Sequence, residues 1–148
     1  MAKKVLILST SLRGGSNSDI LARECERGAK EAGHEVEYIS LKGKEIKYCI
    51  GCLSCQTKGS CVLQDDVAEI MAKVKDAEVI VYATPIYYYE MAGQMKTLLD
   101  RLNPLYSSDY AFRDIYMIVI LSILVDTFIS KISLTMQPGP KIDSISGA

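Results

Sequence analysis

The stretch Val5–Ser18, VLILSTSLRGGSNS, joins a short apolar run to a loop rich in hydroxyl groups. Val5–Leu8 has the composition of a buried strand, and Ser16 or Asn17 can cap a helix that follows. The backbone N–H groups at the start of a helix attract anions, and the serine hydroxyls and Arg13 add further donors. This order of strand, polar loop and helix therefore indicates an anion site, although a well-capped polar turn would have the same composition.

The overall composition is that of one soluble domain. The chain has 148 residues, of which 49% are hydrophobic and 24% charged, so one domain with a real core is expected. A formal net charge of −1 and the lack of a Lys/Arg cluster argue against nucleic acid as a partner. The apolar segment after Lys4 is too short for a secretion signal or a membrane span, which predicts a cytoplasmic protein without membrane association.

Strand and helix patterns alternate along the chain and predict an α/β fold. Strand patterns occupy Val5–Ser9, Glu35–Leu41, Glu78–Ala83 and Ile115–Leu121. Helix patterns, with apolar residues three and four apart, occupy Asp19–Ala32, Gln64–Asp76 and Ala92–Leu102. This order predicts parallel strands with crossover helices, in which ligands bind at the carboxyl ends of the strands. Two unusual loops, Ser9–Ser18 and Thr84–Glu90, follow strand ends and are expected to face the same crevice.

Each of the two loops has its own chemistry. The first contains no P-loop, no G-x-G-x-x-G fingerprint and no phosphatase C-x5-R signature, which leaves a general anion cradle. The second, Thr84–Tyr89, TPIYYY, offers apolar and aromatic groups on which a flat ring could stack. Covering of the core or a dimer contact would also explain the tyrosines. Three adjacent tyrosines cannot all point inward, so at least one is expected to serve a surface or a ligand.

Two blocks of sequence carry a family resemblance. The first is Ser11-Leu12-Arg13 followed by Ser16-Asn17-Ser18. The second is TPIYY at Thr84–Tyr88, followed by GQMK at Gly93–Lys96 and by Asp100-Arg101. Together these blocks resemble S-x-R-…-[GS]-N-[ST] and [ST]-P-[IV]-Y…G-x-[ML]-K…DR of the flavodoxin-like NADPH-dependent FMN reductases. The resemblance covers roughly residues 3–116, and either block alone would be a weak signal.

The resemblance implies a fold, a cofactor and an activity. The fold is a flavodoxin-like open parallel sheet with helices on both faces, in an FMN-binding domain at residues 1–121. The FMN phosphate would be held by Ser11, Arg13, Ser16, Asn17 and Ser18, and its isoalloxazine would lie on Pro85, Ile86, Tyr87 and Tyr88. NADH or NADPH would dock transiently and donate hydride, and an acceptor would receive the electrons. Such proteins are usually homodimers or homotetramers, and no side chain is expected to act as an essential acid or base.

The cysteine segment is a separate signal. Cys49, Cys52, Cys55 and Cys61 give the spacing C-x2-C-x2-C-x5-C. Disulfides are unexpected in a reducing compartment, and zinc sites usually pair two C-x2-C units across a longer gap. A compact run suits a [4Fe–4S] cluster, although the C-P ending of the bacterial ferredoxin run is absent. The spacing is similar to that of the iron–sulfur flavoproteins, a branch of the same superfamily. A cluster, a loop without a cluster and, least favoured, zinc remain as alternatives.

The carboxyl-terminal part departs from the family pattern. Nothing beyond about Val119 resembles the loop, helix and fifth strand with which family members usually continue. Residues 122–148 are therefore predicted to be an atypical segment, part of the same domain or a flexible tail, with the last strand missing or altered. A missing strand would expose a sheet edge and remove one wall of the flavin site.

The sequence thus predicts an FMN-dependent oxidoreductase that passes electrons from NAD(P)H through the flavin to an acceptor. Two alternatives stay open. One is an iron–sulfur flavoprotein that carries single electrons through a [4Fe–4S] cluster. The other is an inactive, shortened flavodoxin-like binding module.

Overall fold

A computed structural model describes residues 1–107 and 115–122. Its elements, in chain order, are β1 (Lys4–Ser9), α1 (Asn17–Glu31), β2 (Glu35–Ser40), α2 (Ser54–Lys58), α3 (Val67–Asp76), β3 (Val79–Tyr87), β4 (Glu90–Met91), α4 (Gly93–Arg101), α5 (Asn103–Ser107) and β5 (Tyr116–Ser122). Strands and helices alternate as the sequence predicted, and the α/β fold with a parallel sheet is confirmed.

The four longer strands are parallel and lie in the order β2-β1-β3-β5. The chain leaves β1 for β2 on one side and then crosses to β3 on the other, so the strand order reverses between β1 and β3. Open parallel sheets bind ligands at such a reversal, outside the carboxyl ends of the strands. Ser9 is in register with both Ser40 and Ala83. The loops after β1 and β3 therefore leave the sheet at the same edge.

Alternate residues of β1 face two different cores, as the two-residue period of a strand requires. Val5 and Ile7 belong to a small cluster with Ala22 of α1. Leu6 and Leu8 belong to a larger cluster that also contains apolar residues of α3, α4, α5 and the junction between α4 and α5: Val67, Ile70, Val74, Met95, Leu98, Leu102 and Leu105. The sheet thus has helices on both faces, and this three-layer packing holds the strand ends in place.

β3 is longer than the sequence predicted, and the prediction of a loop over Thr84–Glu90 was wrong. β3 continues to Tyr87, and β4 pairs back with it antiparallel through Ile86↔Met91 and Tyr87↔Glu90. Pro85 suggested a break in regular structure. The strong β preference of Ile and Tyr, together with pairing of β3 to both β4 and β5, overrides that local signal.

A second helix, α5, follows α4 directly in the region around Pro104. α4 ends at Arg101, one residue before the predicted Leu102, and α5 begins at Asn103. Pro104 therefore occupies the first turn of a helix, where its missing N–H is tolerated. The cysteine segment, predicted as a loop, likewise contains the short helix α2.

β5 confirms the fourth predicted strand and is in register with β3 from Val79↔Tyr116 to Pro85↔Ser122. The predictions of an atypical segment after residue 122 and of a missing or altered last strand lie outside the described residues. Among the helices of residues 1–107, none is long and apolar enough to cross a lipid bilayer.

Candidate functional site

The loop after β1 draws three serine hydroxyls together. The Ser16 hydroxyl donates to Ser11 Oγ at 2.5 Å, and the Ser11 hydroxyl donates to the Arg13 carbonyl at 2.9 Å. Ser16 Oγ and Ser18 Oγ are hydrogen-bonded at 3.2 Å. All three serines are buried. Mutual hydrogen bonding therefore fixes these side chains in one cluster beside the backbone of the loop.

The same cluster forms the start of α1. Ser16 is the N-cap residue, and its Oγ accepts from the Asp19 N–H at 3.3 Å. Its carbonyl accepts from the Ile20 N–H at 2.9 Å. The earliest N–H groups of a helix have no partner within the helix, and the positive end of the helix dipole lies beside them. Hydroxyl donors and helix N–H groups consequently meet at one place, which suits an anion.

The outer side of this loop is open. The side chains of Arg13 and Asn17 are exposed, whereas the three serines are not. A Cβ atom built on Gly14 or Gly15 would meet no atom within 4 Å. Gly15 has a φ of +67°, a left-handed conformation that glycine adopts without a side-chain clash. In the described part of the chain this face of the loop is therefore open around Gly14 and Gly15, and the Arg13 side chain is exposed beside them.

β3 and β4 form a hairpin at the neighbouring strand end. Pro85 is buried and Ile86 half-buried, while the exposed fraction rises to 54% at Tyr87 and 97% at Tyr88. Tyr88 and Tyr89 make the two-residue turn, with φ values of 50° and 66°. Turns with two positive φ values normally use Asn-Gly, so two tyrosines there are strained. The turn presents aromatic surface beyond the sheet edge at a conformational cost.

Thr84 holds this hairpin against α4. Its buried hydroxyl accepts from the Ala92 N–H at 3.0 Å and donates to the Pro85 carbonyl at 3.2 Å. Ala92 is the N-cap residue of α4, so one side chain connects the hairpin to the following helix. Thr84 is part of the family block TPIYY, but its role in the hairpin was not predicted from the sequence.

The loop after β1 (the serine loop, residues 10–16) and the end of β3 leave the same edge of the sheet, as predicted from the strand order. The Thr10 N–H, directly after β1, donates to the Ala83 carbonyl of β3 at 3.0 Å. The predicted phosphate residues thus lie beside the strand that carries the predicted ring platform. Their contacts with a cofactor remain predictions, since proximity at a sheet edge does not by itself define a ligand.

The four cysteines of the segment line one small cavity of about 30 Å³, Cys49 and Cys52 being exposed and Cys55 and Cys61 half-buried. All four thiols are free, and the Asn103 amide donates to Cys55 Sγ at 3.5 Å. Hydrogen bonds from the Ser54 side chain and backbone lower the pKa of the Cys52 thiol, which favours the metal-binding thiolate.

Cysteine thiols predominate among the metal-ligating side chains that line this cavity in the described part of the chain. Within residues 1–107 and 115–122, no three His, Cys, Asp or Glu side chains are grouped so as to hold one metal ion. Zinc requires its ligands around a single atom. A [4Fe–4S] cluster takes four cysteine thiolates, and all four cysteines of the segment border this cavity.

Asp65 and Arg101 form a buried ion pair that connects the two ends of the cysteine segment. Arg101 Nη1 donates to Asp65 Oδ2 at 2.5 Å and Nη2 to Asp65 Oδ1 at 3.1 Å, and both side chains are at most 1% exposed. Arg101 Nη1 also donates to the Lys47 carbonyl at 2.8 Å, while the Lys47 N–H donates to Asp65 Oδ2 at 2.9 Å. The pair thereby joins Lys47, before the first cysteine, to Asp65, after the last.

This pair was not predicted from the sequence. Asp65 lies at the start of the predicted helix Gln64–Asp76, and Arg101 belongs to a family block. A signal was present, because Arg101 is three residues after Leu98 and thus on the apolar face of α4. An arginine at such a position calls for a buried acidic partner.

Residues 3–124 match the family described as NADPH-dependent FMN reductase. The chain belongs to this family. The match includes the serine loop, the hairpin and the cysteine segment, and it continues past Val119, where the resemblance was expected to end. The family that the sequence blocks suggested is thus confirmed.

Relatives of this family member include iron–sulfur flavoproteins of archaea. One from Methanocaldococcus jannaschii is 42% identical over 102 residues, which are 69% of this chain and 53% of that protein. One from Archaeoglobus fulgidus is 36% identical over 102 residues, or 69% of this chain and 46% of that protein. The chain therefore spans about half the length of these curated relatives.

A solved structure supports the flavodoxin-like fold. The NAD(P)H:quinone oxidoreductase from Methanothermobacter marburgensis superimposes with a TM-score of 0.69. The superposition covers 83% of this chain and 65% of the other, at 20% sequence identity. At that identity the likeness concerns the fold alone, and it agrees with the strand order found here.

Proposed function

We propose that this chain is an FMN-dependent oxidoreductase that takes electrons from NAD(P)H, with the FMN phosphate bound in the loop after β1. The observation that carries the proposal is the cluster of buried hydroxyls at the start of α1, located where the strand order reverses. Phosphate is held well by helix N–H groups with added hydroxyl and arginine donors. The residues proposed to hold it are Ser11, Arg13, Ser16, Asn17 and Ser18.

The proposed ring platform is the end of β3 and its turn. Of the proposed platform residues Pro85, Ile86, Tyr87 and Tyr88, the last three offer apolar and aromatic surface, whereas Pro85 is buried; Thr84 fixes the hairpin that carries them. When bound, FMN supplies the redox chemistry, which is acceptance of hydride and release of electrons. The side chains of this chain bind and orient the cofactor, and none is proposed as an essential acid or base.

Comparison of FMN with riboflavin, which lacks the phosphate, tests the proposal directly. Titration followed by flavin fluorescence should give much tighter binding of FMN than of riboflavin. The substitution Arg13→Gln should weaken FMN binding and leave riboflavin binding unchanged, so that the ratio of affinities falls. Lys75→Gln, at another exposed cation on α3, serves as the control and should change neither affinity. Equal affinities for both flavins would overturn the phosphate assignment, and a preparation that stays colourless with FMN would favour the inactive binding module.

A second function is favoured by the cysteine cavity. We propose that Cys49, Cys52, Cys55 and Cys61 hold a [4Fe–4S] cluster and that the protein relays single electrons through it. The support is that all four cysteines border one cavity, together with the names of the archaeal relatives. Protein purified or reconstituted without oxygen should contain about four irons and four sulfides per chain.

A matched pair of cysteine variants makes this measurement specific. Cys55→Ser should abolish or sharply reduce iron uptake. Cys25→Ala should keep it, because Cys25 packs against the core on the α1 side of the sheet. Iron at trace level in the wild-type protein would refute the cluster and leave the flavin reductase proposal intact.

The cosubstrate and assembly complete the proposal. NADH or NADPH would dock on the exposed flavin face and donate hydride, and oxidation of each with an artificial acceptor measures the preference. The homodimer or homotetramer implied by the resemblance is testable by light scattering. A cytoplasmic location is part of the same proposal.

A further inference from the structure

One donor of the Arg101 guanidinium is left without a partner. Its Nη1 and Nη2 atoms bind Asp65 and the Lys47 carbonyl. The Nε atom is buried and has no hydrogen-bond partner among residues 1–107 and 115–122. A buried donor of a charged group without a partner is destabilising, and such groups in native proteins call for an explanation.

Arg101 borders the cavity that all four cysteines of the segment line. Burial by itself would lower the pKa of its guanidinium, but Asp65, and after it Cys61, outweigh that effect and raise the pKa. Cys61 and Arg101 line the same cavity, so this thiol is available to the unused donor of the guanidinium. The cation is oriented by Asp65 on one side and borders the sulfur-lined cavity on the other.

We propose that Arg101 is a positioning residue of the cysteine site, whose Nε–H donates a hydrogen bond to the Cys61 sulfur when a cluster is bound. This inference rests on the proposed cluster. Thiolate sulfur bound to iron is an anionic acceptor, and a hydrogen bond to it stabilises the added negative charge after reduction. Asp65 holds the guanidinium plane in place through two hydrogen bonds.

A spectroscopic measurement on the wild-type protein tests this hydrogen bond without any substitution. The protein is produced with arginine labelled with ¹⁵N in the guanidinium group, reconstituted with iron and sulfide, and reduced by one electron. Pulsed electron paramagnetic resonance should then detect a ¹⁵N hyperfine coupling to the cluster. Arg101→Lys removes the Nε–H donor and should abolish the coupling. A reduced cluster without any ¹⁵N coupling in the wild-type protein would overturn the proposal.

The reduction potential provides a second readout. Arg101→Lys keeps a cation beside Asp65, so iron content should stay near that of the wild type while the cluster potential becomes more negative. Lys96→Gln, on the exposed face of α4, should leave the potential unchanged. A purely structural role predicts a lower melting temperature of Arg101→Lys with an unaltered potential, and that result would refute the hydrogen bond.

Different results would refute the bound cluster and the role of Arg101. Wild-type protein that binds FMN but no iron would remove both the cluster and the role of Arg101. Wild-type protein that contains about four irons per chain but shows no ¹⁵N coupling would remove only the role of Arg101. If Arg101→Lys does not fold, the ¹⁵N measurement on the labelled wild-type protein still tests the hydrogen bond.

Discussion

Asp65 and Arg101 form a two-pronged ion pair in which neither side chain is more than 1% exposed. The two residues are 36 positions apart in sequence, on either side of β3. Through Lys47 the pair also fixes the beginning of the cysteine segment. The pair therefore helps to fix both ends of the segment that carries the four cysteines.

Removal of one partner of this pair should be strongly destabilising. Arg101→Met leaves the Asp65 carboxylate buried without its cation, which is expected to lower the free energy of unfolding by about 3–5 kcal/mol. Lys96→Gln, which breaks an exposed pair on the same helix, should cost at most about 1 kcal/mol. Urea unfolding of both variants measures the difference. If Arg101→Met lowers the free energy of unfolding by less than about 1 kcal/mol, the pair does not stabilise the fold as proposed.

The same pair predicts how stability depends on pH. Desolvation by itself would raise the pKa of the Asp65 carboxyl, but hydrogen bonds from Arg101 and from the Lys47 and Val67 N–H groups outweigh it and lower the pKa. A carboxyl whose pKa is lowered by folding stabilises the folded state at pH values above the pKa of an ordinary carboxyl, which is near 4. This contribution is lost as the pH falls through the pKa of the folded state.

Comparison with Asp65→Asn isolates that contribution. The difference in urea midpoint between the wild type and Asp65→Asn should be constant near neutral pH and shrink below about pH 4. Glu31→Gln, which removes an exposed carboxylate at the end of α1, provides the control. A difference in urea midpoint that grows as the solution becomes more acidic would contradict a lowered pKa of the Asp65 carboxyl.

Substitutions at Ser16 should separate helix capping from phosphate binding. Ser16→Ala removes the cap and should lower the free energy of unfolding by about 1 kcal/mol. Ser16→Asp keeps a capping oxygen and should be nearly as stable as the wild type, but its carboxylate repels phosphate. Its FMN affinity is therefore expected to fall by about tenfold or more, a change of about 1.4 kcal/mol. Unaltered FMN affinity in Ser16→Asp would place the phosphate elsewhere.

Relief of strain in the β3–β4 turn should stabilise the protein. Replacement of Tyr88-Tyr89 by Asn-Gly supplies residues suited to two positive φ values and should raise the free energy of unfolding by about 1–2 kcal/mol. The double variant should bind FMN more weakly because Tyr88 is lost. Tyr89→Gly alone should gain stability and keep FMN affinity. If the double variant binds FMN as well as the wild type, Tyr88 is not part of the platform.

The local patterns of the chain were sufficient for the fold. The apolar run before Ser9, the cap at Ser16 and the spacing of apolar residues in α3 and α4 are short-range features, and they predicted the parallel sheet. The match with the NADPH-dependent FMN reductases confirms the family that two sequence blocks suggested. Pro85 misled the prediction because a local break signal does not reveal that two other strands pair with the same segment.

The sequence by itself determined the order of strands and helices, the family and the residues eligible to bind FMN or a cluster, since periodicity, capping and spacing are encoded locally. Only the tertiary structure decided which of those residues meet. It paired Asp65 with Arg101, gathered Ser11, Ser16 and Ser18 into one hydrogen-bonded cluster, and arranged four cysteines around one cavity. That cavity is bordered by Arg101, whose Nε atom has no hydrogen-bond partner within the described residues. The physical reason is that buried polar contacts between distant segments depend on how helices pack against the sheet, and no local pattern records that packing.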